Sequence, residues 1–214
     1  VSTPPGAQLA LTLVGRWHRF ESSDPEALRR QVHAYARSTV GKRDDQATAR
    51  AELRARLTEV VAEAARHRAS VVFVCEEVSP GVALPAMVTV FHPMAAPSPD
   101  PATASAPREG VLEAMRRDLV ATHAAGKESA CVLVEAGDGE ALRVVMIDEA
   151  EVVEGAPTSR VRSVRADYWV LWPDGDKVSL VSCFTPLGDI PHAMVRLFDA
   201  IVARARIVTE TRVA

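Results

Sequence analysis

The chain predicts an α+β fold, a largely antiparallel sheet flanked by helices. Three observations carry this expectation. Strand-like runs come in neighbouring pairs joined by short turns, as in "SVVFVCEEVSPGVALPAMVTVF" at 70–91, and such hairpins pair antiparallel. Helix-like stretches with a single apolar stripe separate the hairpins. The 214 residues are 48% hydrophobic but only 5% aromatic, so the core must be built mostly from Val, Leu and Ala. The length fits one domain spanning 1–214, interrupted by a Pro/Ala-rich loop at 93–107.

Taken in order, "LALTLVG" at 9–15 reads as a first strand and "RWHRFE" at 16–21 as its continuation or a second one. Asp24-Pro25-Glu26 is a helix start, with Asp at the N-cap and Pro at the first helical position. That helix is expected to reach Ser38, with Leu28, Val32 and Tyr35 on one stripe, before "VGKRDD" breaks it. A second helix is expected over 45–68, its apolar face made by Leu53, Leu57, Val60, Val61 and Ala64. A hairpin around Ser79-Pro80-Gly81 follows. "PMAAPSPDPATASAP" at 93–107 has five prolines and no periodicity, which reads as a loop. A third helix is expected over 109–123, then a hairpin turning at Gly137-Asp138-Gly139.

The last segment is the most informative. "SVRADYWVLW" puts Val164, Ala166, Tyr168, Val170 and Trp172 on one face of a strand. Pro173-Asp174-Gly175-Asp176 forms the turn, and "KVSLVSCFT" returns with Val178, Leu180, Ser182 and Phe184 on another face. Asp189 is the expected cap of a final helix that stacks Met194, Leu197, Phe198, Ile201, Val202 and Ala205 on one side. The polar-tipped hairpin, "FTPLGD" and the helix ending "LFDAIVARARI" resemble the C-terminal end of PsbP-like proteins, with "GRWHRFE" matching their early Trp-bearing strand. The long helical region 24–68 and the proline loop depart from the simplest version of that fold. The resemblance implies an α/β/α sandwich that serves as a binding or accessory module. It carries over no catalytic motif.

Charge and composition exclude several functions. The formal net charge of −3 predicts no attraction to nucleic acid, and the Arg-rich helix at 45–68 is interleaved with Glu52, Glu59 and Glu63. No apolar run approaches the roughly 20 residues that span a bilayer. The opening "VSTPPGAQ" lacks the basic start and apolar stretch of a signal peptide. Of 25 basic residues only Lys42, Lys127 and Lys177 are lysine, a bias that fits a GC-rich, actinobacterial-type genome. Cys75, Cys131 and Cys183 each sit in an apolar run without a shared framework, as expected of buried thiols in a reducing, cytoplasmic compartment.

Motifs for chemistry are missing from the local sequence. "TVGKRDD" and "HAAGKES" have Ala36 and Ala121 where a phosphate loop needs Gly, and neither G-x-G-x-x-G nor G-x-S-x-G occurs. His18, His33, His67, His92, His123 and His192 include no zinc-type spacing. Asp174 and Asp176 read as a turn, and the acidic run 148–154 as an exposed loop. The one set that distant strands could converge is Trp17, His18 and Cys183, weak candidates for a cleft with a nucleophilic thiol. The expected function is a non-catalytic accessory or adaptor role, without cofactor or metal, through a protein partner or a second copy of the chain. The rival is a small-molecule binder or enzyme with its site between sheet and helices. A pocket with converging His, Asp, Arg or Cys side chains favours the rival, and an apolar patch favours the adaptor.

Overall fold

A computed structural model describes residues 7–21, 24–41, 43–97, 107–122, 131–137, 139–152 and 159–209. In chain order the elements are β1 (Ala7–Ala10), β2 (Arg16–Glu21), α1 (Pro25–Val40), a 3-10 turn (Asp44–Gln46), α2 (Ala47–Arg66), β3 (Ala69–Glu77), β4 (Met87–Phe91), β5 (Met94–Ala95), α3 (Pro107–Thr122), β6 (Cys131–Ala136), β7 (Gly139–Val152), β8 (Ser159–Leu171), β9 (Lys177–Thr185), α4 (Pro191–Val202) and β10 (Arg206–Thr209). They group into two compact units, 15–91 and 1–14 with 92–214. Strand pairs within both units are antiparallel, and the class is α+β. Among the described residues, no helix is long and apolar enough to cross a membrane.

Unit 15–91 has three antiparallel strands in the order β2-β3-β4, and the α1–α2 hairpin that connects β2 to β3 packs on them. Asp24 caps α1 as its sequence predicts: Oδ1 accepts from the Glu26 amide at 2.9 Å, and Pro25 fills the first helical position. The stripe Leu28, Val32 and Tyr35 meets Leu57 and Val61 of α2 and Phe20 and Val72 of the strands in one core. Val60, expected on that face of α2, is instead 37% exposed. After α2 the chain turns through Arg68, whose φ of 64° lies in the left-handed region that glycine occupies without strain.

In unit 92–214 the strands run β9-β8-β7-β6, with β5 added to β9 and a separate ribbon of β1 with β10. Strand alternation sorts the side chains onto two covered faces. Tyr168 lies opposite Val181, Ala166 opposite Cys183 and Val170 opposite Ser179, on the face that α4 covers. Leu142, Val144, Leu171 and Val178 form the other face and bury Val111, Met115 and Leu119 of α3. The hairpin turn closes by Trp172 N–H donating to the Lys177 carbonyl at 2.9 Å, with Gly175 at φ 75°. Gly137, at φ 62° in the β6–β7 turn, admits no side chain, because a Cβ there would sit 1.8 Å from the Ala205 carbonyl.

Several expectations are corrected. The first strand stops at Ala10 instead of reaching Gly15, and it pairs with β10, a strand the sequence reading had absorbed into the end of the last helix. Helix α4 is capped at Ile190 and receives no side-chain cap from Asp189, which lies 3.9 Å from Arg162. The segment 93–107 is not a loop throughout: Met94 and Ala95 pair with Val178 and Lys177, and Pro107 already begins α3. Residues 98–106 lie outside the described residues, as do His123, expected at the end of α3, and Asp138.

Phe198 is fully buried on α4 with Met194, Ile201 and Val202. Phe198→Ala should therefore cost about 3–5 kcal/mol in urea unfolding, and a loss under about 1 kcal/mol would show that α4 is not docked on its face. Conversely, Arg68→Gly should raise stability by about 0.5–1 kcal/mol in the same measurement by removing the left-handed strain, and a loss would mean the side chain itself holds the turn.

Candidate functional site

The three candidate residues do not share a unit. Trp17 and His18 are on β2 of unit 15–91, and Cys183 is on β9 of the other. Trp17 and His18 are adjacent on a strand, so they point to opposite faces. The His18 ring packs against Phe20 and Tyr35, with ring centroids 4.6 and 4.5 Å away. Burial lowers the His18 pKa below 6.5, and nearby Glu76 opposes the shift. The ring is thus a packed, neutral aromatic at pH 7.

Cys183 is fully buried, and burial pushes its thiol pKa well up, with the Asp167 and Asp199 carboxylates adding to the shift. Burial likewise raises Cys131 and takes Cys75 from 9.0 to about 11. These are neutral thiols, the opposite of the low-pKa thiolate that attacks or binds metal. The two carboxylates near Cys183 are both hydrogen-bonded. Tyr168 donates to Asp199 Oδ1 at 2.8 Å, and Arg143 Nη1 donates to Asp199 Oδ2 at 2.5 Å. On the opposite face Asp167, 3% exposed, accepts from Ser182 Oγ at 2.6 Å and from Arg165 at 2.7 Å. Each carboxylate is neutralised and hydrogen-bonded in place, an arrangement that positions α4 and β9. Among the described residues no group of three or more His, Cys, Asp or Glu is placed to hold a metal ion.

What unit 92–214 offers instead is an apolar cleft of about 330 Å³. Helix α3 lines it with Met115, Asp118, Leu119 and Thr122, an i, i+3, i+4, i+7 series that falls on one face of a helix. Strand β5 and the residues after it supply Met94, Ala95 and Pro97 on the facing side, and Trp169 of β8 with Val178 of β9 make the floor. Met115, Leu119 and Val178 are nearly inaccessible, whereas Met94 is 42% exposed at the mouth. Among the described lining residues, Asp118, Thr122 and the Trp169 indole supply the hydrogen-bonding side chains. The helical spacing of Met115 and Leu119 is legible in the sequence. That Met94 faces them is not, because it follows from the pairing of β5 with β9.

A second depression of about 540 Å³ lies along the edge strand β6 and α3, but its Arg108 and Glu140 pair at 3.5 Å, and Arg108 Nη1 also donates to the Trp172 carbonyl at 3.0 Å. No protein-family model, curated protein or solved structure matches this chain.

Two measurements check the state of the thiols. Native-state alkylation of Cys183 at pH 7.5 should be at least about 100-fold slower than in urea, since it must await opening of the sheet. Fast labelling would mean an accessible thiolate. Stability should also fall as pH rises from 9.0 toward about 11, because an unfolded Cys75 ionises before the folded one. The loss assigned to this residue is about 2 kcal/mol, and Cys75→Ala should remove that part of the slope in urea unfolding between pH 8 and 10.5.

Proposed function

We propose that this chain is a non-catalytic accessory or adaptor protein that holds a segment of a partner protein, with the cleft between α3 and β5 taking one apolar side chain of that segment. The observation that carries this reading is the cleft's lining: two methionines, a leucine, a proline, a valine and an indole, with one carboxylate and one hydroxyl at hand. Methionine is unbranched and polarisable, so Met94 and Met115 can repack around different apolar anchors. Tightly bound segments concentrate their energy in one or two such anchors seated in a pocket. Asp118 and Thr122 are both exposed on the same helix face and can accept from the backbone N–H groups of an extended chain. Among the described residues of the lining, the one carboxylate and the one hydroxyl lie a turn apart on a single exposed helix face. The likeness of 168–207 to PsbP-like proteins favours the same class of role.

The rival reading is an apolar small molecule, because about 330 Å³ reaches the lower end of ligand-pocket sizes. Selection from a random-peptide display library separates the two. The expected result is a family of peptides sharing one aromatic, methionine or leucine anchor. Their affinity should drop about ten-fold or more with Met94→Asp, a change at an exposed position that leaves the core intact. Peptides that bind the Met94→Asp variant equally well would overturn the assignment. So would a failed selection together with a stoichiometric small molecule in native mass spectrometry.

A further inference from the structure

We propose that the α1–α2 hairpin holds a second, unrelated site, for a small soluble ligand bearing at least two phosphate-type anionic groups. A cavity of about 260 Å³ lies between the two helices, lined by His33 and Arg37 of α1 and by Arg50 and Arg54 of α2, with buried Ala36 at its floor. Each helix contributes a pair at i, i+4, so both members project from one face a turn apart, and the two pairs meet across the cavity. Three guanidiniums around one small space repel each other, and the like-charged i, i+4 pair Arg50 and Arg54 disfavours the helix that carries it.

Nothing among the described residues offsets that repulsion, since no carboxylate forms an ion pair with any of the four. The carboxylates of this unit that form described ion pairs meet other partners: Asp24 and Glu26 lie by Arg30, Asp45 by Arg43, and Glu63 by Arg66 and His67. Within the cavity lining itself, all the formally charged side chains are basic. Arg50 is moreover held in place before any ligand arrives. Its Nη1 donates to the carbonyls of Gly41 at 2.9 Å and Arg43 at 2.7 Å, two of the five N–H donors of a guanidinium. Planar guanidiniums bind phosphate oxygens through paired hydrogen bonds, and three of them suit a ligand with two phosphoryl groups better than one.

The depression is partly open, and its volume of about 260 Å³ suits a small ligand better than a strand of nucleic acid. A strand of nucleic acid needs a continuous basic track, and α2 interrupts its arginines with Glu52, Glu59 and Glu63. The site belongs to unit 15–91 and is independent of the apolar cleft in unit 92–214, so either can fail without the other.

The test is titration of the whole chain with inorganic pyrophosphate at low ionic strength, read by the arginine Nε–Hε resonances and by the melting temperature. Saturable shifts at Arg37, Arg50 and Arg54 and a rise in melting temperature are expected, with inorganic phosphate binding about ten-fold more weakly. Arg54→Gln alone, and Arg37→Gln with Arg54→Gln, should weaken pyrophosphate about ten-fold or more, while the anion-free melting temperature holds or rises as repulsion is relieved. Arg29→Gln, an exposed arginine of α1 outside the cavity, should leave the affinity unchanged. The proposal is overturned by unsaturable binding, or by an equal loss in Arg29→Gln. It is also overturned if a DNA duplex or vesicles carrying a phosphoinositide bind more tightly than pyrophosphate.

Discussion

Strand β8 buries both of its faces from Ala166 to Leu171, and the arrangement of unit 92–214 follows from that constraint. Val164, Ala166, Tyr168 and Val170 look toward α4, and Asp167 and Leu171 toward the side that α3 covers; all six are almost inaccessible. A strand with no face for water must have helices on both sides and paired strands along both edges. Strand β7 pairs with it from Ser159 to Leu171, and β9 from Val164 to Leu171. The two carboxylates carried inside by this burial are both met. Asp199 of α4 receives Tyr168 and Arg143, and Asp167 receives Ser182 and Arg165. Removing one partner would strand a buried charge, so these contacts fix which turn of α4 sits over which strand.

The cleft is a by-product of how that second face is covered. Helix α3 packs on β6 and β7, and β5 runs beside β9. Between them Trp169 and Val178 are left under a gap too narrow for another helix and wide enough for a side chain. Close packing elsewhere in the same cluster, through Val111, Leu142, Val144 and Leu171, keeps the gap from collapsing. In unit 15–91 the logic differs. There the apolar stripes of α1 and α2 meet Phe20 and Val72, and the helices' outer faces carry the charge.

Most secondary structure is legible because it rests on short-range rules. The Asp24-Pro25 start, the Leu28-Val32-Tyr35 stripe, the Pro173–Asp176 turn and the Met194–Phe198–Ile201 stripe all depend on neighbours within one or two turns of chain. The misreadings share the opposite property. Asp189 has the composition of a cap, yet the direction in which the chain leaves β9 puts Ile190 there. Val60 has the spacing of a core residue but falls at the margin of the stripe, where α1 does not reach. Met94–Ala95 and β10 are strands of two and four residues whose partners lie far along the chain; Ile207, Val208 and Thr209 are β-branched, but their run directly follows the α4 stripe.

The same division applies to function. Composition and local pattern alone determined the α+β class and the apolar faces, and they left no room for a phosphate loop, a dinucleotide fingerprint or a local zinc motif. The tertiary structure decided what the candidate residues became: His18 an aromatic packed on Phe20 and Tyr35, Cys183 a neutral thiol inside a sheet. It also decided where the usable surfaces are. The cleft under Met94 needs β5 paired to β9, and the cationic cavity needs α1 folded back on α2. Each joins residues separated by a turn or by most of a unit, and no local rule specifies which distant backbones meet, because that choice is made by the burial of shared apolar faces.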